Sequence, residues 1–205
     1  MRRSCIVLLV SLCVTAALQA EIIGVAGGIE APPPTLGPYL MTEFPLDDRP
    51  LFETVTSIPS PLGGELDFAM PMMHFRVGEG WAYWGHGYER DVYDSLGYQE
   101  VMLSLPPDTM AFYLYGSHPN TTYHEITAVA DDSAMITQLV HPFDGAKYFG
   151  FYQADPSGPP LEEIVVTTTA GWLALGEFGI AIPAPGMLAM LAIAGLSARL
   201  PRRRR

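Results

Sequence analysis

The segment 78–88 combines residue types that could bind sugar rings. It sets four aromatic side chains among four glycines, with His86 near its centre. The aromatic residues are Trp81, Tyr83, Trp84 and Tyr88. One interpretation is an aromatic platform on a loop, which stacks on sugar rings while nearby polar side chains bind their hydroxyls. The other is a strand whose tryptophans fill the protein core. The sequence favours the core, because large aromatic side chains are usually mostly buried.

Acidic residues and histidines offer candidate metal sites. His86 and Glu89 are three residues apart and could share a metal ion, although this spacing within a loop is usually coincidental. Aspartates in turn-like sequences are candidates for calcium, because hard cations bind several carboxylate and carbonyl oxygens. These are Asp47, Asp48, Asp131, Asp132 and Asp155. For each of them, capping of a turn is the favoured interpretation. We therefore expect no resident cofactor, with calcium as the alternative.

Catalytic motifs are absent from the sequence. It contains no Gly-x-Ser-x-Gly elbow, no His-Glu-x-x-His zinc motif and no glycine-rich phosphate loop. Two acids facing one cleft would suit a secreted hydrolase, but 22 acidic residues make candidate pairs unselective. We predict a protein that is not an enzyme.

Charge is strongly segregated along the chain. All 22 acidic residues lie between Glu21 and Glu177, and the same stretch has four basic residues, which gives it a net charge of −18. The remaining seven arginines lie at the two ends. Such a body repels phosphate backbones, because binding to them requires lysine and arginine. Nucleic-acid binding is therefore excluded.

The N-terminus has the pattern of a secretion signal. Arg2 and Arg3 precede a nearly unbroken apolar stretch over 5–18, and Ala20 provides a small residue for cleavage. Lipidation at Cys13 and export by the twin-arginine route are alternatives, and general secretion is favoured over both. Cys5 and Cys13 would leave with a signal peptide over 1–20, so the exported protein would have no disulfide and would depend on its core.

The C-terminus has three consecutive parts. A breaker over 182–186 contains Pro183 and Pro185. An apolar stretch over 187–198 follows; as a helix it would rise about 18 Å, less than the ~30 Å hydrocarbon core. The basic end favours the cytoplasmic side of the membrane. It consists of Arg199, Arg202, Arg203, Arg204 and Arg205. A weak membrane anchor or a solvated basic terminus is the alternative.

Together with the signal, this tail resembles that of bacterial PEP-CTERM proteins. Pro183, Ala184 and Pro185 correspond to the family's Pro-Glu-Pro motif, with alanine in place of glutamate. The stretch 187–198 corresponds to its hydrophobic segment, followed by the basic end. The resemblance implies that an exosortase, a membrane transpeptidase-like enzyme, recognises the tail and removes it. The body would then be released from the cell or attached at its surface.

Between the two ends, the sequence predicts an all-β fold. Short segments alternate apolar and polar residues or carry β-branched and aromatic residues. Predicted strands cover 52–58, 66–70, 72–77, 101–105, 110–115, 123–129, 134–140, 147–153, 164–169 and 172–182. The turn 106–108 is predicted to return the chain from 101–105 to 110–115, and 131–133 to form a hairpin. This pattern favours a two-sheet β-sandwich, or jelly-roll-like, body.

Four regions are therefore predicted: a signal peptide over 1–20, a Gly/Pro-rich linker over 21–38, a β-sandwich domain over 39–182 and a sorting tail over 183–205. The tail includes a short hydrophobic helix, which would contact the membrane transiently through 187–198. We expect an exported bacterial protein of the cell surface or extracellular matrix, with a non-catalytic role. Its expected partners are the secretion machinery, an exosortase and exopolysaccharide. A carbohydrate-binding module using 78–88 is the first alternative, and a secreted hydrolase is the second.

Overall fold

The computed structural model describes residues 21–183, which contain strands and no helix. The predicted signal peptide lies outside the described residues, as does the predicted tail beyond Pro183. The strands are β1 (Ile22–Ala26), β2 (Thr35–Leu36), β3 (Tyr39–Leu40), β4 (Thr42–Glu43), β5 (Thr54–Pro59), β6 (Glu65–Val77), β7 (Gly80–Trp81), β8 (Asp91–Asp94), β9 (Glu100–Ser104), β10 (Ala111–Ser117), β11 (His124–Ala130), β12 (Ala134–Val140), β13 (Lys147–Gln153), β14 (Glu163–Thr168) and β15 (Ala174–Ala181). Across 21–183, therefore, no helical segment is suited to crossing a bilayer.

Thirteen strands form one continuous sheet. Its main path runs β1-β13-β10-β15-β8-β6-β9-β14-β11-β12, with β4 beside β15 and both β5 and β7 beside β6. Neighbours on this path are antiparallel, and β7 runs parallel to β6. The two end strands meet, because a Cβ added at Gly24 in β1 would lie 3.0 Å from Ile136 Cγ1 in β12. The sheet therefore nearly closes on itself.

The long strand β6 joins the two halves of this sheet. Asp67 and Phe68 pair with β9, whereas the residues from Met73 to Phe75 pair with β8. Pro71 lies between these two pairings. Proline lacks the N–H that a central strand donates, so it suits the point where β6 changes partners. The sequence predicted two strands here, over 66–70 and 72–77, and the structure has one.

The main core lies inside the curled sheet. Strands β10, β13 and β15 contribute Phe112, Phe149 and Ile180, and the opposite half contributes Leu103 and Ile126, all fully buried. Alternate residues of one strand share a face of the sheet, so Leu114 lies in this core with Phe112, and Phe151 with Phe149. Burial of these apolar side chains is the main favourable contribution to folding in a body without cysteines.

A second core lies on the outer face of β10, β13 and β15. Tyr113, Tyr115 and Tyr148 are buried there against Trp84 and Leu36. Two chain segments cover these tyrosines, one over 27–41 and the other over 78–90. Strands β10 and β15 are consequently buried on both faces.

Two sequence predictions are corrected by the strand pairing. The predicted linker 21–38 contributes β1, which pairs with β13, and β2, which forms a small hairpin with β3. In addition, β9 and β10 do not pair with each other: β9 pairs with β6 and β14, whereas β10 pairs with β13 and β15. The turn 106–108 therefore carries the chain from one half of the sheet to the other. The hairpin at 131–133 is confirmed, since β11 pairs with β12.

Candidate functional site

The segment 78–90, here called the aromatic segment, is held against the sheet by tight glycine turns. Gly80 has a φ of +101°, and a Cβ there would lie 2.7 Å from Phe75 Cδ1. Gly85 has a φ of +126°, in a region that side chains disfavour. Strand β7 pairs Trp81 with Val77 of β6, which fixes the start of the segment. The glycines therefore shape a defined path across the outer face of the sheet.

Trp84 and Tyr88 attach the aromatic segment to the sheet. Trp84 is fully buried, and its Nε1–H donates to Glu177 Oε2 at 3.2 Å. The Tyr88 hydroxyl donates to the Asp91 carbonyl at 3.0 Å and accepts from the Glu177 N–H at 3.2 Å. Burial raises the pKa of Tyr88. Of the four predicted glycan-binding residues, these two face the sheet, which agrees with the core interpretation for them.

Glu177 is the centre of this arrangement. It lies in β15 at a φ of +51°, where the register with β10 shifts between Tyr113 and Tyr115. Its Oε1 is 2.7 Å from His86 Nε2, and His86 Nδ1 is 2.7 Å from the Ile29 carbonyl. The pair thus ties the aromatic segment to both the sheet and the N-terminal segment.

Burial controls the charge of this carboxyl group. It raises the pKa of Glu177 to about 7, even though the hydrogen bonds from His86 and Trp84 act in the opposite direction. Near pH 7, the Glu177 carboxyl group is therefore partly protonated. Glu177 was not predicted from the sequence. The available signal was a single charged residue within the otherwise uncharged run 172–182.

The predicted metal pair of His86 and Glu89 does not fit the geometry of His86. Both His86 ring nitrogens already face other partners, the Glu177 carboxyl and the Ile29 carbonyl. Among residues 21–183, no set of three His, Cys, Asp or Glu side chains is placed to hold a metal ion. Three of the five candidate aspartates, Asp47, Asp131 and Asp155, bond to nearby protein groups. Asp131 accepts from the Glu162 and Glu163 N–H groups, and Asp155 accepts from Ser157.

A second polar cluster lies beneath the loop 44–50. Asp91 Oδ1 is 3.0 Å from both His74 Nε2 and Arg76 Nη2, and Asp91 Oδ2 accepts from the Asp47 N–H at 2.7 Å. Asp47 in turn accepts from Arg49 and from the Tyr93 hydroxyl. These bonds hold the loop to β6 and β8, so the Asp47 carboxylate serves as a structural link.

This cluster predicts a loss of stability in acid. Hydrogen bonds from Arg49 and Tyr93 lower the pKa of Asp47 to about 2, against its burial. Asp47 therefore contributes to stability above its ordinary pKa near 3.8, and the contribution is lost as the pH falls through about 2. We expect Asp47→Asn to lower the free energy of unfolding by about 1–2 kcal/mol at pH 7 and by progressively less toward pH 2. Urea titrations across this range measure it. Asp108→Asn, at an exposed turn, is the control, and an equal loss at every pH would contradict the expectation.

Trp81 and Tyr83, the other two predicted glycan-binding residues, face an open groove of about 250 Å³. Its opposite side is formed by Phe143, from the loop between β12 and β13, and by His118, which follows β10. Tyr83 is 47% exposed and Phe143 is 69% exposed. The four aromatic residues therefore differ in burial: Trp84 is fully buried, Trp81 and Tyr88 are partly buried against the second core, and Tyr83 is largely exposed. Phe143, which lines the groove with Trp81 and Tyr83, was not predicted from the sequence.

Comparison with known proteins gave no relative: no protein-family model matches the chain, and no curated protein or solved structure is detectably similar to it. The resemblance of the tail to PEP-CTERM proteins therefore stays a prediction.

Proposed function

We propose that the chain is an exported bacterial protein whose body acts outside the plasma membrane. Its role there is non-catalytic, at the cell surface or in the extracellular matrix. The signal peptide over 1–20 is removed during export. An exosortase-type enzyme then processes the tail at Pro183, Ala184 and Pro185.

The pattern of the two ends supports this proposal: Arg2 and Arg3 precede the apolar stretch over 5–18, and Pro183 and Pro185 precede an apolar stretch and a basic end. The contacts of the body next to the proposed cuts are consistent with it. Every described strand lies between Ile22 and Ala181. Even the Glu21 carbonyl is used, since it accepts a hydrogen bond from the Ala154 N–H at 2.8 Å. Cleavage after Ala20 and near Pro183 would therefore leave every described strand pairing intact.

The bonding of the buried acids supports a structural role. Three contacts of these acids join a covering segment to the sheet: Asp91 accepts from the Asp47 N–H, Asp47 accepts from the Tyr93 hydroxyl, and Glu177 Oε1 lies 2.7 Å from His86 Nε2. A hydrolase needs two acids that face a substrate cleft. All three also line one cleft, but its volume is only about 40 Å³ and each of the three carboxylates already bonds to a side chain of the protein.

We further propose that the body is a two-layer β-sandwich. In this description one layer contains β1, β13, β10, β15 and β8, and the other contains β9, β14, β11 and β12. Strand β6 contributes one end to each layer. The shared core of Phe112 and Phe149 with Leu103 and Ile126 supports this division.

Mass spectrometry of the protein purified from its source organism tests the export proposal. We expect an N-terminus at Glu21 and a C-terminus near Pro183–Pro185, in the envelope or the medium. Replacing Pro183 and Pro185 together with alanine should leave export intact and abolish the C-terminal cut. A full-length chain in the cytosol would overturn export, whereas a secreted chain that retains Arg205 would overturn only the tail processing.

A further inference from the structure

We propose that the groove between Trp81, Tyr83 and Phe143 binds a neutral glycan, a stretch of polysaccharide without carboxylate or sulfate groups. This inference goes beyond export and sorting. It is tested on purified protein, so it can fail or succeed independently of them.

Trp81 gives the groove a rigid base. Trp81 pairs through its backbone with Val77 of β6, and its Nε1–H donates to the Tyr83 carbonyl at 3.0 Å. Its ring packs edge-on against the buried Trp84, with the ring centroids 6.2 Å apart. A fixed aromatic ring loses little conformational entropy when a ligand covers it.

Aromatic side chains from two separate loops are exposed in the groove. Tyr83 and Phe143 are 47% and 69% exposed and line the same groove. A sugar ring has an apolar C–H face that can cover such side chains, while its hydroxyl groups stay at the edge in contact with polar atoms. The groove offers the Tyr83 hydroxyl. His118 also lines the groove, and its side chain is fully buried.

The lining of the groove has no acidic or basic side chain other than a histidine: none of its eight residues is Asp, Glu, Lys or Arg. Burial lowers the pKa of His118 and so disfavours its charged form, although the Val140 carbonyl, 3.0 Å from its Nε2, acts in the opposite direction. The surrounding body carries a net charge of −18 over 21–183, which repels anionic polymers. An uncharged groove on an acidic body favours an uncharged ligand.

The groove is also small. Its volume of about 250 Å³ is below the about 300–1,000 Å³ of pockets that enclose a whole small ligand. It is open at the surface, so it suits part of a longer chain that continues past it on both sides.

Tryptophan fluorescence tests this site directly. The chain has three tryptophans, of which Trp84 is fully buried and Trp172 is 41% exposed, away from the groove. In a Trp172→Phe background, emission that responds to a ligand therefore comes from Trp81. The neutral probes are cellohexaose, maltohexaose, dextran and the neutral polysaccharide fraction of the source organism. Alginate is the anionic control. We expect saturable binding of at least one neutral probe and none of alginate.

Three alanine variants then locate the binding. We expect Tyr83→Ala and Phe143→Ala each to raise the Kd at least tenfold. The matched control is Tyr98→Ala, because Tyr98 is also 50% exposed but lies in the loop between β8 and β9; its Kd should match that of the parent. Since all three side chains are largely exposed, each thermal midpoint should stay within about 2 °C of the parent.

Several results would overturn the proposal. One is the absence of binding by every neutral probe, and another is equal binding of alginate. A Kd that Phe143→Ala leaves unchanged would also overturn it. Finally, a concentration-dependent dimer that Phe143→Ala abolishes, without glycan binding, would assign the groove to a second copy of the chain.

Discussion

Trp84→Ala is expected to lower the free energy of unfolding by about 3–5 kcal/mol, the usual range for removing a fully buried aromatic side chain. The indole fills the second core, so its removal leaves a cavity beside Tyr113 and Tyr115. It also removes the N–H that bonds to Glu177 Oε2, which leaves a buried carboxyl without one of its donors. Urea denaturation followed by circular dichroism measures the loss.

The matched control is Tyr83→Ala, in the same segment. Tyr83 is 47% exposed, so its replacement should change the free energy of unfolding by less than about 1 kcal/mol. Trp84→Phe is a second control: it keeps ring packing and loses the N–H, so its effect should be intermediate. Comparable losses for Trp84→Ala and Tyr83→Ala would contradict the difference in burial between these two residues.

Alternation in the sequence identified many strands but not their partners. The predicted ranges 134–140 and 147–153 match β12 and β13, because turn formers bound both segments and β-branched or aromatic residues occur within them. Alternation fixes which side chains share a face, and a face can pack against any strand with a matching one. The turn 106–108 therefore suggested a hairpin, whereas the chain crosses there to the other half of the sheet.

Glycine and proline near the N-terminus were misleading for a physical reason. Their abundance suggested a linker, yet Gly24 lies in β1 with Ile136 of β12 close to its Cα. A Cβ at Gly27 would lie 2.8 Å from Tyr148 Cδ1. These glycines permit close approach of the chain to packed side chains. Composition alone does not separate that use from flexibility.

The candidate sites depend on contacts between distant parts of the sequence. His86 and Glu177 are 91 residues apart, and Phe143 and Tyr83, from two separate loops, line the same groove. The sequence could select the aromatic segment by its composition. Only the folded structure shows that the Trp84 side chain is buried and that Tyr83 lines a groove together with residues of a second loop.

Glu177→Gln is expected to stabilise the protein above pH 7 by about 1–3 kcal/mol. Burial raises the pKa of Glu177 from its ordinary 4.5 to about 7. The folded state therefore keeps this proton where the unfolded chain has released it, and the stabilisation is lost as the pH rises from about 4.5 through about 7. Glutamine has no charge to bury. Its amide oxygen can accept from Trp84, and its amide N–H can donate to His86 Nε2.

Urea denaturation between pH 4.5 and pH 8.5 measures the free energy of unfolding of the parent and of Glu177→Gln. The parent should lose stability across this interval relative to Glu177→Gln, and the two proteins should agree within about 0.5 kcal/mol near pH 4.5, where both side chains are uncharged. Glu65→Gln, at an exposed position in β6, makes the same change in net charge, and its free energy of unfolding should change with pH as that of the parent does. Two results would contradict this expectation: a free energy of unfolding for Glu177→Gln that changes with pH as the parent's does, or one that is lower than the parent's at every pH. Either would mean that Glu177 stays a carboxylate bonded to His86 and that burial does not control its charge.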